Sequence, residues 1–137
     1  MGLDFSGFDP ALALSAILSC DEREIVTRTS PGLPPYLALE AMAQTCGMHL
    51  RRRHDFMVHA YLVSMTDLLY PPALGEKALN IRAALTAETS AAASYTIQID
   101  AVPACRMLMG FNTAFDTPDN LFRTRFKRLC TTPSFSA

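Results

Sequence analysis

The segment from Tyr36 to Leu50 (YLALEAMAQTCGMHL) constrains this chain more than any other. Its residues favour a helix, and its apolar side chains lie all round that helix instead of on one stripe. A helix of that kind has to be enclosed by other elements. The stiff loop Ser30-Pro31-Gly32-Leu33-Pro34-Pro35 precedes it. A proline at the first helical position starts a helix well, because its missing N–H would find no intrahelical acceptor there, so the helix begins near Pro35 or Tyr36. Its polar side chains are Glu40, Gln44 and Thr45, on neighbouring turns. Gly47 permits another backbone to approach, at a helix-propensity cost of about 1 kcal/mol. The helix ends in Arg51-Arg52-Arg53-His54, cations where the helix dipole favours them. That run reads as a solvated helix end, or as an attraction for a phosphate group or an acidic partner.

What encloses the helix is legible on either side of it. Leu14–Ser19 and Glu24–Thr29 read as two short strands around the polar turn Cys20-Asp21-Glu22-Arg23, with Ile25, Thr27 and Thr29 sharing one face. After the helix the apolar period changes to two. Val58 to Tyr70 is largely apolar and stops at Pro71-Pro72, and Leu74-Gly75-Glu76 is a turn. Leu79, Ile81, Ala83 and Leu85 form one inward face, and Tyr95, Ile97, Ile99 and Ala101 form the next, with a turn at Ser90–Ala93 between them. Pro103-Ala104 is read as a break. Met107, Met109, Phe111, Thr113 and Phe115 form the last face. The predicted order is strand–strand–helix–strand–strand–strand–strand, an α+β architecture with a mainly antiparallel sheet. Residues 1–116 read as one domain. The tail 117–137 contains Leu121-Phe122-Arg123-Thr124-Arg125-Phe126-Lys127-Arg128-Leu129, which reads as a short amphipathic helix, with a frayed tail or a basic docking patch as alternatives.

Composition excludes several functions. The chain has 137 residues, half of them apolar, and a formal net charge of −1, so no overall electrostatic drive toward nucleic acid or a membrane surface exists. The apolar run Ala11–Cys20 is too short to span a bilayer, and Met1–Pro10 lacks a basic leader, so a cytoplasmic location is expected. Cys20, Cys46, Cys105 and Cys130 form neither a C-x-x-C pair nor a Cys/His ligand spacing, and read as small buried hydrophobes or free thiols. No metal and no nucleotide cofactor is implied.

The stretch Pro31-Gly32-Leu33-Pro34-Pro35-Tyr36-Leu37-Ala38-Leu39-Glu40-Ala41-Met42-Ala43-Gln44, followed by alternating strands, resembles the 3-hydroxyacyl-(acyl-carrier-protein) dehydratase family of hotdog proteins. The likeness runs from about Ala13 to Phe115. More narrowly, Leu33 to Thr45 looks like the divergent dehydratase-like proteins of aryl-polyene clusters, which accompany a second hotdog protein. The resemblance implies a hotdog fold, a sheet wrapped around one central helix, and a role with acyl thioesters in fatty-acid or polyene biosynthesis. Its partners would be acyl-carrier protein or coenzyme A thioesters, and it would form a homodimer or a heterodimer with a second hotdog chain. Glu40 takes the position of the family's catalytic acid. Gln44, Tyr36, Leu37 and Thr29 are the accompanying substrate-binding candidates. Gln44 reads first as structural, orienting Glu40 or bonding a loop carbonyl.

Two departures shape the functional expectation. The family's loop histidine is replaced by Thr29, and His49, His54 and His59 all follow at or after the helix end. The family glycine five residues before the acid is Pro35, which has no N–H to polarise a thioester. Three readings follow. The chain is a dehydratase-family subunit completed by a partner, a thioesterase using Glu40, or an inactive acyl-carrier-binding module. A bland reading of Glu40 also stands, as a first-turn acid favoured by the helix dipole. The depth of any acyl tunnel depends on how Met42, Met48, Met65 and Tyr61 pack.

Overall fold

The computed structural model describes residues 13–69, 77–113 and 120–130, with the side chains of Pro35 and Tyr36 outside that description. The element order is β1 (Leu14–Cys20), β2 (Glu24–Thr29), α1 (Pro35–Arg53), β3 (Val58–Thr66), β4 (Asn80–Glu88), β5 (Ala92–Ile99), β6 (Val102–Thr113) and α2 (Leu121–Cys130). Six strands form one sheet in the order β1-β2-β4-β5-β6-β3, every neighbouring pair antiparallel. The α+β arrangement of a sheet around a long helix is the one expected from the sequence.

Alternation places the core. Ile81 and Ala83 of β4, Ala93, Tyr95, Ile97 and Ile99 of β5, and Met107, Met109 and Phe111 of β6 are buried on the concave face. Against them α1 packs Leu37, Ala38, Ala41, Met42, Cys46, Met48 and Leu50. Truncating a buried side chain such as Met42 to Ala would cost about 2–5 kcal/mol. The cysteines behave as core packing. Cys105 Sγ lies 3.8 Å from Met42 Sδ and Cys46 Sγ lies 4.0 Å from Met107 Sδ. Burial pushes the Cys20 and Cys105 thiols up to about 11.

Polar contacts pin the helix where hydrophobic packing alone would leave its rotation loose. Thr45 Oγ1 donates to Ala41 O at 2.8 Å and lies 2.9 Å from Thr27 Oγ1. A hydroxyl has one proton, so Thr27 is the donor between the two threonines. His49 is fully buried, with Nε2 at 2.9 Å from Asp21 O and Nδ1 at 2.8 Å from Tyr95 Oη. A carbonyl only accepts, so Nε2 carries the proton and Tyr95 donates to Nδ1 of a neutral imidazole.

Five sequence readings are corrected in detail. The break expected at Pro103-Ala104 lies instead at Asp100-Ala101, and Pro103 is inside β6, paired with Gln98. Both turn residues have positive φ, 49° and 69°, the geometry of a two-residue hairpin whose twist matches its strands. Ala101, read as part of an inward face, is an exposed turn residue for that reason. Asp100 compensates by accepting from Asn80 N at 3.0 Å and donating its own amide to Asn80 O at 2.9 Å. The turn expected at Ser90–Ala93 closes earlier, because Thr89 Oγ1 accepts from the amides of Ala91 and Ala92, and β5 starts at Ala92. The third strand, read to Tyr70, ends at Thr66, before Asp67 at φ 56°. Thr113, read as inward, is exposed at the end of β6. Tyr70, the Pro71-Pro72 stop, the Leu74-Gly75-Glu76 turn, Phe115 and the proposed domain boundary at 116/117 lie outside the described residues.

The two edges of the sheet differ. The helix α2, formed by the basic tail segment, packs beside β1 and buries Leu129, with Phe126 meeting Phe56 edge to face. Strand β3 is the other edge, and it carries exposed Tyr61, Leu62 and Val63.

Candidate active site

One side of α1 is not covered by the sheet. A groove of about 830 Å³ runs along it, with Leu37, Leu39, Glu40, Ala43, Gln44, Gly47, Met48 and Arg51 as its helix wall. Ala60, Tyr61 and Leu62 of β3, Met109 of β6, and Phe122 and Arg125 of α2 complete it. The helix is therefore enclosed on its sheet face and open on this one, and the all-round apolar composition serves both.

Glu40 is exposed on this groove. The helix starts at Pro35 and its first turn holds no acid, so the reading of Glu40 as a first-turn dipole partner is corrected. Gln44, one turn on, donates from Nε2 to Glu40 Oε1 at 3.0 Å. Its amide orientation is set from the far side, because Arg125 Nη2 donates to Gln44 Oε1 at 2.9 Å. A guanidinium can only donate, so the oxygen of Gln44 must face Arg125 and the amine must face Glu40. The result is a one-way chain of donors, Arg125 to Gln44 to Glu40, ending on a carboxyl that accepts.

Of the sequence candidates, Glu40, Gln44 and Leu37 meet in this groove. Thr29 is placed elsewhere, fully buried, with its hydroxyl accepting from Leu79 N at 2.9 Å and its own amide donating to Leu79 O at 2.8 Å. The side chain of Tyr36 lies outside the described residues. Among the residues suggested to set tunnel depth, Met48 and Tyr61 line the groove, whereas Met42 is in the core and Met65 is partly buried. None of the three histidines lines the groove. His49 is in the core, His54 lies 3.2 Å from Glu88 and packs on Phe111, and His59 is exposed on β3.

Three groove residues were not singled out from sequence. Arg125 and Phe122 come from the tail, and Arg125 is 81 positions away from its partner Gln44, a separation no local pattern reveals. Of the two readings of the Arg51–Arg53 run, a solvated helix end does not describe Arg51, whose side chain folds back along α1 over Gly47. A Cβ at position 47 would lie 2.7 Å from Arg51 Nη1. A glycine one turn before an arginine was the available signal. Tyr61 is likewise seated over a glycine, with its ring 2.5 Å from where a Cβ of Gly110 would be.

Among the described residues, no three His, Cys, Asp or Glu side chains come together, and no helix is long and apolar enough to cross a membrane.

No protein-family model matches the chain, and no curated protein matches its sequence. Solved structures do. The chain is similar to the dehydratase heterocomplex ApeI:P from Xenorhabdus doucetiae, with TM-score 0.57 and 14% identity over 86% of this chain and 91% of that one. It is similar to a mutant thioesterase from Pseudomonas aeruginosa, with TM-score 0.59 and 12% identity over 74% and 83%. It is also similar to a hypothetical thioesterase protein with coenzyme A from Streptococcus pneumoniae, with TM-score 0.57 and 10% identity over 73% and 87%. Sheet order, enclosed helix and these likenesses together establish that the chain has the hotdog fold.

Proposed function

We propose that this chain handles acyl thioesters as a dehydratase-family subunit whose site is completed by a second hotdog chain. The observation that carries the reading is Glu40, held by Gln44 in a largely apolar groove that no histidine lines. A thioester in this groove would place its carbonyl near the carboxyl of Glu40, with its acyl group against Leu62, Met48 and Met109. Dehydration of a 3-hydroxyacyl thioester needs a base for the α-proton and an acid for the departing hydroxyl. Glu40 supplies one such group and the partner would supply the other.

The edge strand supports a partner. Tyr61, Leu62 and Val63 on β3 are 49%, 43% and 54% exposed, next to the groove and on a strand with an unpaired edge. An apolar edge of that kind is normally paired or covered. The ApeI:P structure is itself described as a heterocomplex, which agrees with a two-chain assembly here. Co-purification with a second hotdog protein is the expected result, and a strict homodimer in cells and in vitro would refute the heterodimer.

A second reading is favoured by the polarity of the Arg125–Gln44–Glu40 chain. It leaves Glu40 as an acceptor, which suits a base that activates water for thioester hydrolysis. Assaying a panel of acyl thioesters for both hydration and hydrolysis separates the two. In either case Glu40→Gln is expected to lower turnover by about 100-fold or more, the usual range for losing a general acid or base. Turnover unaffected by that change would remove Glu40 from the chemistry. Binding of acyl-carrier protein without turnover of any thioester would instead identify an inactive carrier-binding module.

A further inference from the structure

Arg51 is a charged side chain built into the groove wall. Nη2 donates to Ala60 O at 3.0 Å, and the ring of Phe122 stacks on the guanidinium, its centroid 3.8 Å from Cζ. Gly47 leaves the space that the group occupies. Nε is buried and meets no acceptor. The neighbouring Arg53 shows what is missing, for it pairs with Glu22 at 3.3 Å and Glu88 at 2.9 Å, while no carboxylate among the described residues pairs with Arg51. Burial first, and the nearby cation of Arg125 second, lower the Arg51 pKa from its ordinary value. Helix-dipole stabilisation at the C-terminus does not account for this placement, since the side chain turns back toward Gly47 and away from the last carbonyls.

A half-buried cation fixed by stacking, a carbonyl and a glycine, and left without an anion, is a receptor for an oxyanion. Between it and Glu40 the groove is lined by the apolar Ala43, Met48, Leu62 and Met109 together with Gln44 and Arg125, which bond to each other and, through Gln44, to Glu40. The apolar part of that lining suits a hydrocarbon stem. Glu40 and Gly47 are seven residues apart on α1, which at the helical rise spans roughly 10 Å. We propose that the groove selects acyl groups bearing a remote carboxylate, the thioester end lying at Glu40 and the carboxylate at Arg51. This deepens the thioester reading and rests on it for the Glu40 end only.

The test is a calorimetric comparison of ligands on the full chain. The ligands are the octanoyl and the suberyl (carboxylate-terminated) thioesters of N-acetylcysteamine, octanoyl-phosphopantetheine, and free suberate. The suberyl thioester is expected to bind at least about tenfold tighter than the octanoyl one at low salt, the advantage of a charge-assisted contact. Arg51→Gln should erase that ratio. Gly47→Ala, which keeps the charge but puts a methyl where the guanidinium lies, should shrink it, and it decides the matter if Arg51→Gln fails to fold. Equal binding of the two thioesters to wild type, a ratio that survives both variants, or an equal Arg51-dependent gain from the phosphate of octanoyl-phosphopantetheine overturns the proposal. The two readings fail separately. Arg51-dependent binding of free suberate without binding of any thioester keeps the anion site and removes the thioester function. Turnover of the octanoyl or a 3-hydroxyoctanoyl thioester, with no binding preference for suberyl, does the reverse.

Discussion

His49 makes the molecule sensitive to acid. Its imidazole is neutral, donating from Nε2 to Asp21 O and accepting at Nδ1 from Tyr95. Burial is the main cause that lowers its pKa below the ordinary value of 6.5. The unfolded chain therefore takes up a proton at this residue before the folded one does. The stability that depends on neutral His49 is complete above about pH 6.5 and is lost as pH falls through the lower folded-state value. Denaturant unfolding measured from pH 7.5 to 5 should show the midpoint falling with acid, and His49→Gln should flatten that fall while lowering stability at pH 7.5 by about 1–3 kcal/mol, the cost of disturbing a buried polar pair. A wild-type midpoint independent of pH over that range would contradict this assignment. The same residue scale shows what a sequence withholds. The i, i+4 spacing of Glu40 and Gln44 made their contact legible. The buried role of Thr29 was not, because its partner Leu79 is 50 positions away and is met only through the sheet.

At the scale of elements, the β5–β6 hairpin is the clearest case of local chemistry overruling a pattern. Proline usually ends a strand, and so Pro103 drew the expected break toward itself. It is tolerated near the start of β6, and the two left-handed residues before it make the turn. Ala101 at φ 69° bears a steric cost there that glycine would not. Ala101→Gly is expected to raise stability by about 0.5–1 kcal/mol, read as a shift in the denaturant midpoint, whereas Asp100→Ala should lower it through loss of the bond from Asn80 N. A destabilised Ala101→Gly protein would show that the turn's strain is negligible. Elements with period two over much of their length (β4, β5 and the middle of β6) and the helix α1 were legible for the physical reason that each shows an alternating or enclosed face to one core. The helix α2 was foreseen as one of three alternatives, but its place against β1 and over the groove was not, since an amphipathic pattern says which face is buried and never against what.

For the whole molecule, the two edges of the sheet differ in a way the proposed two-chain assembly would use. With α2 beside β1, the exposed apolar residues of β3 would direct that association to the other side. Val63→Lys, which puts a charge on an exposed edge position, is expected to leave the fold intact and to shift sedimentation toward the single chain, or to release the partner chain from a co-purified complex. An unchanged assembly state would place the interface elsewhere.

The two polar pins on the sheet face of α1, Thr27 with Thr45 and His49 with Tyr95, bear on how such a protein diversifies. They fix the helix about its axis from the side away from the groove. Groove residues are thereby relieved of holding the helix in register, so on the proposed reading substitutions at Ala43 or Arg51 would alter selectivity without turning Glu40 away from its station. If the groove selects a ligand as proposed, scaffold and selectivity lie on opposite sides of one helix, and each can drift through mutation while the other is held by selection.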